Sequence, residues 1–447
     1  MMRTLACLAA LAAVSLVSAA ARPAPAPKAR AVTGFSDTAE TVMGTLTAPP
    51  SRRFLTRIRN GKMGGVVLLG NGWLTRHTTA TVTAELQQAA CTRGEPLLIA
   101  VDQEGGIVRR LAWAPPTEAP DQMTSPTVAH DQAAGAAAAL RSVGIDIDFA
   151  PVVDTPGPAG NFEGSRVFSD SRTWNAQMAH AFVDGLQANG VAATAKHFPG
   201  LGLASGNTDN GRIVIRAAAS KLQKGLLPFQ SAVNAGVKLV MVSTAVYPKL
   251  DGSKRPAAFS STIIGGLLRK QLGFEGVTVT DSLTAPAADR IPHTATRAML
   301  AGSDLLIWGA ESASERGYAT LLADEASSPR LQNRLTQAAA RIRALKAWLA
   351  ELVREKALWL TRDEVPHAIS VEVEDIEEKV VRATILVETD SQKQIVVGKG
   401  GTVVKEIGTR ARPEIEALLG HPVFLELKVK VRPRWRRDAS TLERLGI

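Results

Sequence analysis

The sequence VAATAKHFPGLGLASGNTD, residues Val191–Asp209, decides the fold of this chain. Its first half alternates small and β-branched residues, which is typical of a buried strand, and it stops at Lys196 and His197, where a loop rich in Pro and Gly begins. A long polar loop at this position is suited to closing over a ligand. Two interpretations follow: Lys196 and His197 bind a polar ligand, or they are a solvated lysine and a hydrogen-bonded core histidine.

The chain around this stretch repeats one pattern from about residue 38: a short apolar run, a polar or Gly-rich loop, and an Ala- and Leu-rich helical segment. Strands that alternate with helices predict a parallel sheet covered on both faces. Eight such runs favour an α/β fold, a closed (β/α)8 TIM-type barrel over residues 35–348, with a doubly wound open sheet as the alternative. The predicted strands are Thr41–Ala48, Gly65–Gly70, Pro96–Asp102, Asp146–Asp154, Val191–His197, Val237–Thr244, Gly276–Asp281 and Ser303–Gly309.

Length and composition indicate a second domain. The chain has 447 residues, of which 45% are hydrophobic, and this is ample for a packed core but long for one barrel. The formal charge of +10 and the pI near 9.8 favour acidic partners. Charge alone does not choose between nucleic acid and an anionic cell envelope.

The first residues have the order of a secretory signal peptide. Arg3 precedes the apolar run Leu5–Val17 and then small residues, which predicts a signal peptide over residues 1–21, followed by a Pro- and Ala-rich tether at residues 22–34. The apolar run is too short to span a bilayer, and no later stretch is long enough. The sequence therefore predicts a secreted or envelope-associated protein with no integral membrane segment after cleavage.

Charged residues cluster at the carboxyl ends of the predicted strands, the face on which barrels build active sites. An acid at the end of an apolar run such as VTVTD is costly to bury unless it is paired or used. One such residue fits a structural ion pair, whereas several that converge predict a site. The residues at these positions are Asp102, Asp154, Lys196, His197 and Asp281.

Five motifs in order make about residues 35–348 resemble glycoside hydrolase family 3, and in particular its bacterial β-N-acetylglucosaminidases. The resemblance implies a retaining β-N-acetylhexosaminidase-like glycosidase that forms a covalent glycosyl-enzyme, with no cofactor and no metal. The implied substrate is terminal β-linked N-acetylglucosamine, or a related β-glycoside, in cell-wall-type saccharides. The motifs are VDQEGG (Val101–Gly106), GIDIDFAPVVD (Gly144–Asp154), KHFPG (Lys196–Gly200), MVSTAVYP (Met241–Pro248) and LGFEGVTVTDSL (Leu272–Leu283).

The resemblance also implies roles for single residues. Asp281 matches the family nucleophile. Charged groups make stronger hydrogen bonds to hydroxyls than neutral ones do, which suits them to holding a sugar. The positions that match the family's sugar-gripping residues are Asp102, Arg166, Lys196 and His197.

The loop after KHFPG departs from the family pattern. The N-acetylglucosaminidases carry Asp-Ser-His there, with the histidine as proton donor, whereas this chain has Asn207-Thr208-Asp209. Asp209 itself is the acid/base if loop closure raises its pKa; or another acid, such as Glu163, takes that role; or the protein binds a sugar without efficient turnover. We favour Asp209, although Asn-Thr-Asp also suits a plain turn or helix cap.

Residues 349–447 differ in character from the barrel. Two strands of alternating apolar and charged residues precede two amphipathic helices and a last strand, in α-β-β-α-α-β order. This segment resembles a type II KH RNA-binding domain, and over about 352–447 the C-terminal domain of the Era GTPase. It has a G-x-x-G loop and a basic C-terminal run, and no P-loop exists to imply nucleotide hydrolysis. The predicted RNA contacts are Gly398, Lys399, Gly400 and Gly401.

The two halves imply different compartments. A signal peptide exports the barrel, whereas an RNA-binding tail acts in the cytoplasm, and the junction 344–356 has the sequence of a continuous helix without a linker. Either a bifunctional protein has been selected, or two reading frames have been fused and a weakly active sugar-binding barrel accompanies an RNA binder. In an exported protein the basic tail is instead an anchor to anionic envelope polymers.

Overall fold

The computed structural model describes residues 35–91, 95–157, 161–361, 370–376, 380–419 and 422–433. The predicted signal peptide and tether lie outside these residues, as does the end of the basic run. The described residues divide into two compact units, one up to Leu349 and one from Ala350 onward. We call them the α/β unit and the C-terminal unit and describe each by itself.

A parallel sheet forms the centre of the α/β unit. Its strands, together with one inserted hairpin (β4 and β5), are β1 (Met43–Leu46), β2 (Gly65–Leu68), β3 (Leu98–Val101), β4 (Gln103–Gly105), β5 (Val108–Arg109), β6 (Ile147–Asp148), β7 (Ala192–Phe198), β8 (Leu239–Val242) and β9 (Val277–Thr280). The seven-stranded order is β1-β2-β3-β6-β7-β8-β9, so each strand lies beside the next one along the chain. This is the predicted parallel α/β arrangement.

The eighth predicted strand, Ser303–Gly309, is present only as isolated bridges. Leu306 bridges to Val42 beside β1, and Leu305 bridges to Val279 of β9, both in parallel. These bridges join the two edges of the sheet. The pairing stays short because the Asp304 carboxylate, rather than a backbone carbonyl, accepts the hydrogen bond from Thr278 N at 2.9 Å.

Helices alternate with the strands as the sequence predicts. Buried alanines on α4 and α5 allow these two helices to pack closely against each other. One stretch, Thr262–Gln271, is a π-helix. The α-helices of this unit are α1 (Asp37–Glu40), α2 (Arg52–Arg59), α3 (Arg76–Cys91), α4 (Pro126–Arg141), α5 (Arg172–Gln187), α6 (Ala219–Lys224), α7 (Leu227–Asn234), α8 (Pro286–Asp289), α9 (Thr294–Ala301), α10 (Glu311–Glu325) and α11 (Pro329–Thr361), the last of which continues beyond Leu349.

The core has two layers because strand side chains alternate between faces. In β2, Val67 belongs to an inner cluster to which each strand of the seven-stranded sheet contributes side chains. Val66 and Leu68 belong to the layer that packs under the helices. Helix α11 closes the inner cluster at the amino ends of the strands, where Lys238 lies over the Trp348 ring. Its contribution to that cluster is Ile342, Leu345 and Leu349.

The C-terminal unit is a small α+β fold. Its strands are β10 (Ser370–Ile376), β11 (Val380–Val387) and β12 (Phe424–Val431), and its helices after β11 are α12 (Asp390–Val397) and α13 (Thr402–Leu419). Strand β11 pairs antiparallel with β10 and parallel with β12. With the end of α11 in front, the element order is the predicted α-β-β-α-α-β. Among the helices described in either unit, none has the length and apolar character needed to cross a membrane.

Candidate active site

The carboxyl ends of the parallel strands bring the predicted site residues to one edge of the sheet. Lys196 and His197 are among the last residues of β7, and both are buried. Asp102 directly follows β3, and Asp281 directly follows β9. The alternative in which Lys196 is a solvated loop lysine is wrong, because only 2% of this residue is exposed.

Lys196 is the centre of a charged network. Its Nζ lies 2.7 Å from Asp102 Oδ1 and 2.6 Å from Glu104 Oε1. Arg166 holds Glu104 from the other side, with Nε 2.8 Å from Oε2 and Nη2 2.8 Å from Oε1. Such bidentate, charge-assisted contacts fix the side chains in one geometry.

Burial and the neighbouring charges set the pKa values in this network. Burial opposes ionisation of Glu104, but Lys196 and Arg166 outweigh it and lower the Glu104 pKa to about 2. Burial likewise opposes the charge on Lys196, and Asp102 and Glu104 overcome it and raise the Lys196 pKa. Glu104 is therefore ionised at neutral pH and faces the two cations Lys196 and Arg166.

Lys196→Met is expected to lower the free energy of unfolding by about 3 kcal/mol, the low end of the range for breaking a buried ion pair, because Glu104 keeps Arg166 as a partner. Urea denaturation followed by circular dichroism measures this. Lys221→Met, at an exposed position, is the control and should change the free energy by less than about 0.5 kcal/mol. Equal effects of the two variants would contradict the network.

A second buried group surrounds His197. Asp154 Oδ2 accepts hydrogen bonds from His197 N at 3.0 Å and from His197 Nδ1 at 2.8 Å, and Asp154 Oδ1 accepts one from Leu201 N at 2.5 Å. Asp154 therefore fixes both the imidazole and the start of the loop. Glu163 Oε1 lies 3.5 Å from His197 Nδ1 and 3.6 Å from Arg166 Nη1. Burial, and then the charge of Asp154, raise the pKa of Glu163 well above its ordinary value.

Asp281 is partly exposed at the end of β9, and its Oδ1 accepts a hydrogen bond from Ser282 N at 2.7 Å. Burial raises the pKa of Asp281, the charge of His197 lowers it, and the charge of Asp209 raises it further. Lys196 also lowers this pKa. Asp281 and Lys196 lie at the same carboxyl edge of the parallel sheet, at the ends of β9 and β7, and the charges of Lys196 and Asp209 both shift the pKa of Asp281.

The loop acid lies in the turn that its sequence favours. Asp209 is exposed, and its backbone N–H donates to Asn207 Oδ1 at 2.8 Å, while Thr208 between them is buried. Asn207 is thus used to shape the loop. The charge of Asp209 contributes to the raised pKa of Asp281.

One feature of the site was missed by sequence reasoning. Glu104 is the carboxylate shared by Lys196 and Arg166, and its signal was the acid inside VDQEGG. Ligand atoms of Asp154, Glu163 and His197 also lie within 4.8 Å of one another, and the absence of metal ligands stays a prediction.

Comparison with known proteins identifies the α/β unit. Residues 40–345, well over half of the chain, match the glycosyl hydrolase family 3 N-terminal domain. The chain belongs to glycosyl hydrolase family 3. With this membership and the relatives below, it is a glycosidase, as the five motifs predicted.

Several known glycosidases are similar to this chain. A β-hexosaminidase of Bordetella avium is 34% identical over 266 residues, which cover 56% of this chain and 75% of the relative. The crystal structure of a β-N-acetylhexosaminidase from Beutenbergia cavernae matches with a TM-score of 0.65 and 32% identity, over 70% of this chain and 97% of the other. A family 3 β-N-acetylglucosaminidase of Paenibacillus sp. matches with a TM-score of 0.66 and 25% identity, over 91% of this chain and 81% of the other.

The C-terminal unit matches a second family. Residues 364–436 match the KH domain. This confirms the KH resemblance predicted from the element order and the G-x-x-G loop. The family 3 chain therefore carries a KH domain after its glycosidase unit.

Proposed function

We propose that this protein is a retaining glycoside hydrolase that removes terminal β-linked N-acetylhexosamine from cell-wall-type saccharides, and that its α/β unit works as a (β/α)8 barrel. The observation that supports the proposal is that Asp281, partly exposed, follows β9 at the same carboxyl edge of the sheet as Lys196 at the end of β7. A carboxylate that is accessible and rigidly held at a strand end is suited to attack an anomeric carbon. The names of the hexosaminidase relatives support the choice of sugar.

The charged network has the chemistry to hold the sugar ring. Asp102 retains a partly exposed carboxylate although it accepts from Lys196. His197 receives its orientation from Asp154, so its Nε2 is left for a hydroxyl. With the ring held by these groups and by Arg166, Asp281 forms the bond to the anomeric carbon as the bond to the leaving oxygen breaks. Water then cleaves the covalent intermediate.

We assign the acid/base role to Asp209. Asp209 is the loop carboxyl whose charge raises the pKa of Asp281, and its side chain is exposed when no substrate is bound. A bound sugar that excludes water raises a carboxyl pKa, as proton donation to the leaving oxygen requires. Glu163 is the weaker candidate, because both its oxygens are enclosed beside Asp154 and Arg166 and it has to leave this position to reach a leaving group.

The direct experiment compares aryl β-glycosides of N-acetylglucosamine and glucose as substrates of the full chain. The proposal expects hydrolysis of the N-acetylglucosaminide, with the first sugar product in the β configuration by NMR. Preference for the glucoside would change the sugar and leave the mechanism intact. Sugar binding without hydrolysis of either substrate would support the alternative of a sugar-binding barrel.

The acidic limb of kcat/KM is expected at a higher pH than an ordinary aspartate gives. Burial raises the pKa of Asp281, so its ionised, nucleophilic form disappears at a higher pH as the solution is acidified. His197 opposes this shift, and His197→Asn should therefore move the acidic limb to still higher pH. A pH–rate profile of both proteins checks the sign. A limb that moves to lower pH in the variant contradicts the assignment.

We propose RNA binding as a second function, carried by the KH domain, which resembles the type II domain of Era. Gly398, Gly400 and Gly401 all have positive φ, between 64° and 79°, in the turn between α12 and α13. A Cβ at Gly400 or Gly401 meets nothing within 4 Å, so this backbone is open to a phosphodiester. A cavity of about 550 Å³ beside α12 and β12 is lined by Lys393, Lys428 and Lys430.

Gly400→Asp with Gly401→Asp is expected to weaken binding of single-stranded RNA by the full chain on the order of 10-fold or more, because two carboxylates then face the phosphates. Fluorescence anisotropy at several salt concentrations measures this. Gly236→Asp is the matched control, since Gly236 also has positive φ and open space but lies in the α/β unit. Binding that is unchanged in the double variant argues against the G-x-x-G contact.

We further propose that the glycosidase is exported, on the strength of the signal-peptide pattern in residues 1–21. The intact mass of the protein from its native cell tests this. Loss of the first residues supports export. A mass that corresponds to a polypeptide ending near residue 350 shows that the two domains are separate polypeptides.

A further inference from the structure

Three side chains of metal-ligand type converge behind the Lys196 network. Asp154, Glu163 and His197 are all buried. His197 Nδ1 lies 2.8 Å from Asp154 Oδ2 and 3.5 Å from Glu163 Oε1. An ion with bonds of about 2.1 Å to nitrogen and oxygen separates its ligands by roughly 3.0–3.4 Å, so the two distances bracket those of a coordination shell.

Glu163 points into this cluster without a donor. It is 3% exposed, and neither of its oxygens has a hydrogen-bond partner among the residues described. A buried carboxylate with free lone pairs is rare and requires an occupant that supplies positive charge. A proton shared with Asp154 is one such occupant, and a metal ion is the other.

The charge around the cluster favours a cation. Arg166 is the nearest guanidinium to Glu163, but its Nε and Nη2 are engaged with Glu104 at 2.8 Å. The Arg166 Nη1–Glu163 Oε1 distance of 3.6 Å is too long for a hydrogen bond. Within the described residues, the two buried carboxylates are therefore offset by this longer contact with Arg166 and by His197, and neither contact gives Glu163 a hydrogen bond.

We propose that Asp154, Glu163 and His197 form a divalent transition-metal site, with His197 Nδ1 and one oxygen of each carboxylate as ligands. One imidazole and two carboxylates suit Zn²⁺ and neighbouring metals. Asp154 keeps its hydrogen bonds from His197 N and Leu201 N, which hold it in place as the ion replaces the Nδ1–H contact. His197 then carries its proton on Nε2, whereas its present contact with Asp154 places a proton on Nδ1.

The test titrates Zn²⁺ into the metal-free full chain by isothermal calorimetry, and it does not depend on sugar cleavage. The expected result is one buried ion per chain, bound at least about 10-fold more weakly by Glu163→Gln. Asp184→Asn is the matched control, because Asp184 forms an exposed pair with His180 at 3.2 Å and should account only for weak surface binding. Equal affinity of wild type and Glu163→Gln overturns the proposal.

Co²⁺ provides a second readout that does not rely on the variant. Co²⁺ held by imidazole and carboxylate in a closed site absorbs more strongly in the visible range than hydrated Co²⁺ does, and His197→Asn should abolish that signal. Circular dichroism of each variant establishes that it is folded. A spectrum identical to that of hydrated Co²⁺ shows that the cluster holds only a proton.

Discussion

Asp281→Asn is expected to reduce kcat for an aryl β-N-acetylglucosaminide by at least about 10³-fold, because the amide cannot form the glycosyl-enzyme. The variant is nearly isosteric, and its amide oxygen still accepts from Ser282 N, so the fold should be unchanged. Stopped-flow release of the aryl alcohol measures the effect. Wild type should show a burst if breakdown of the intermediate is slow, and the variant should show none.

Asp289→Asn serves as the control for Asp281, since Asp289 is an exposed aspartate on the next short helix of the same face. It should retain wild-type kcat. If Asp281→Asn retains activity while the product keeps the β configuration, another carboxylate is the nucleophile. If Asp281→Asn loses activity together with sugar binding, the residue acts in the ground state rather than as the attacking group.

Asp209→Asn is expected to lower hydrolysis of unactivated glycosides by about 10²–10⁴-fold, the usual loss when general acid/base catalysis is removed. The loss should shrink on nitrophenyl glycosides, whose leaving group needs little protonation. Comparing kcat/KM for a disaccharide and a nitrophenyl glycoside measures this difference. Asn210→Ala, a neighbouring exposed position, is the control. Equal losses on both substrates would show that Asp209 shapes the loop and does not transfer the proton.

The double variant Asn207→Asp, Asp209→His separates the alternatives for the acid/base. It restores the Asp-Ser-His type of triplet of the family's N-acetylglucosaminidases, apart from Thr208. Activity at or above wild type indicates that the loop positions a proton donor in this chain as well. If activity stays low in this variant and in Asp209→Asn, and is lower still in Glu163→Gln, then Glu163 is the acid/base.

The sequence allowed the order of strands and the position of most site residues to be predicted, because both depend on local pattern. Strand β7 ends where the Pro and Gly residues begin, and Lys196 and His197 lie at that end. The sequence did not reveal that the eighth predicted strand, Ser303–Gly309, would form only isolated bridges. The carboxylate of Asp304 competes with the backbone for Thr278 N, and an apolar run does not reveal such competition.

The partners within the site were harder to predict than its members. Lys196 meets Asp102 across 94 residues of sequence, and His197 meets Asp154 across 43. Only the folded chain shows that Glu104 completes the first pair and Glu163 adjoins the second. The acid/base is harder still, because its pKa depends on how a loop closes over substrate.

Helix α11 shows how two domains can follow each other in one chain without a separate linker, because it continues past the end of the α/β unit. Its residues Ile342, Leu345 and Leu349 pack into the inner cluster at the amino ends of the strands, and Leu349 is the last residue of the α/β unit. A segment joined after this position leaves these core contacts unchanged and extends a helix that already exists. The KH domain therefore follows in sequence a position at which the contribution of α11 to the glycosidase core is already complete.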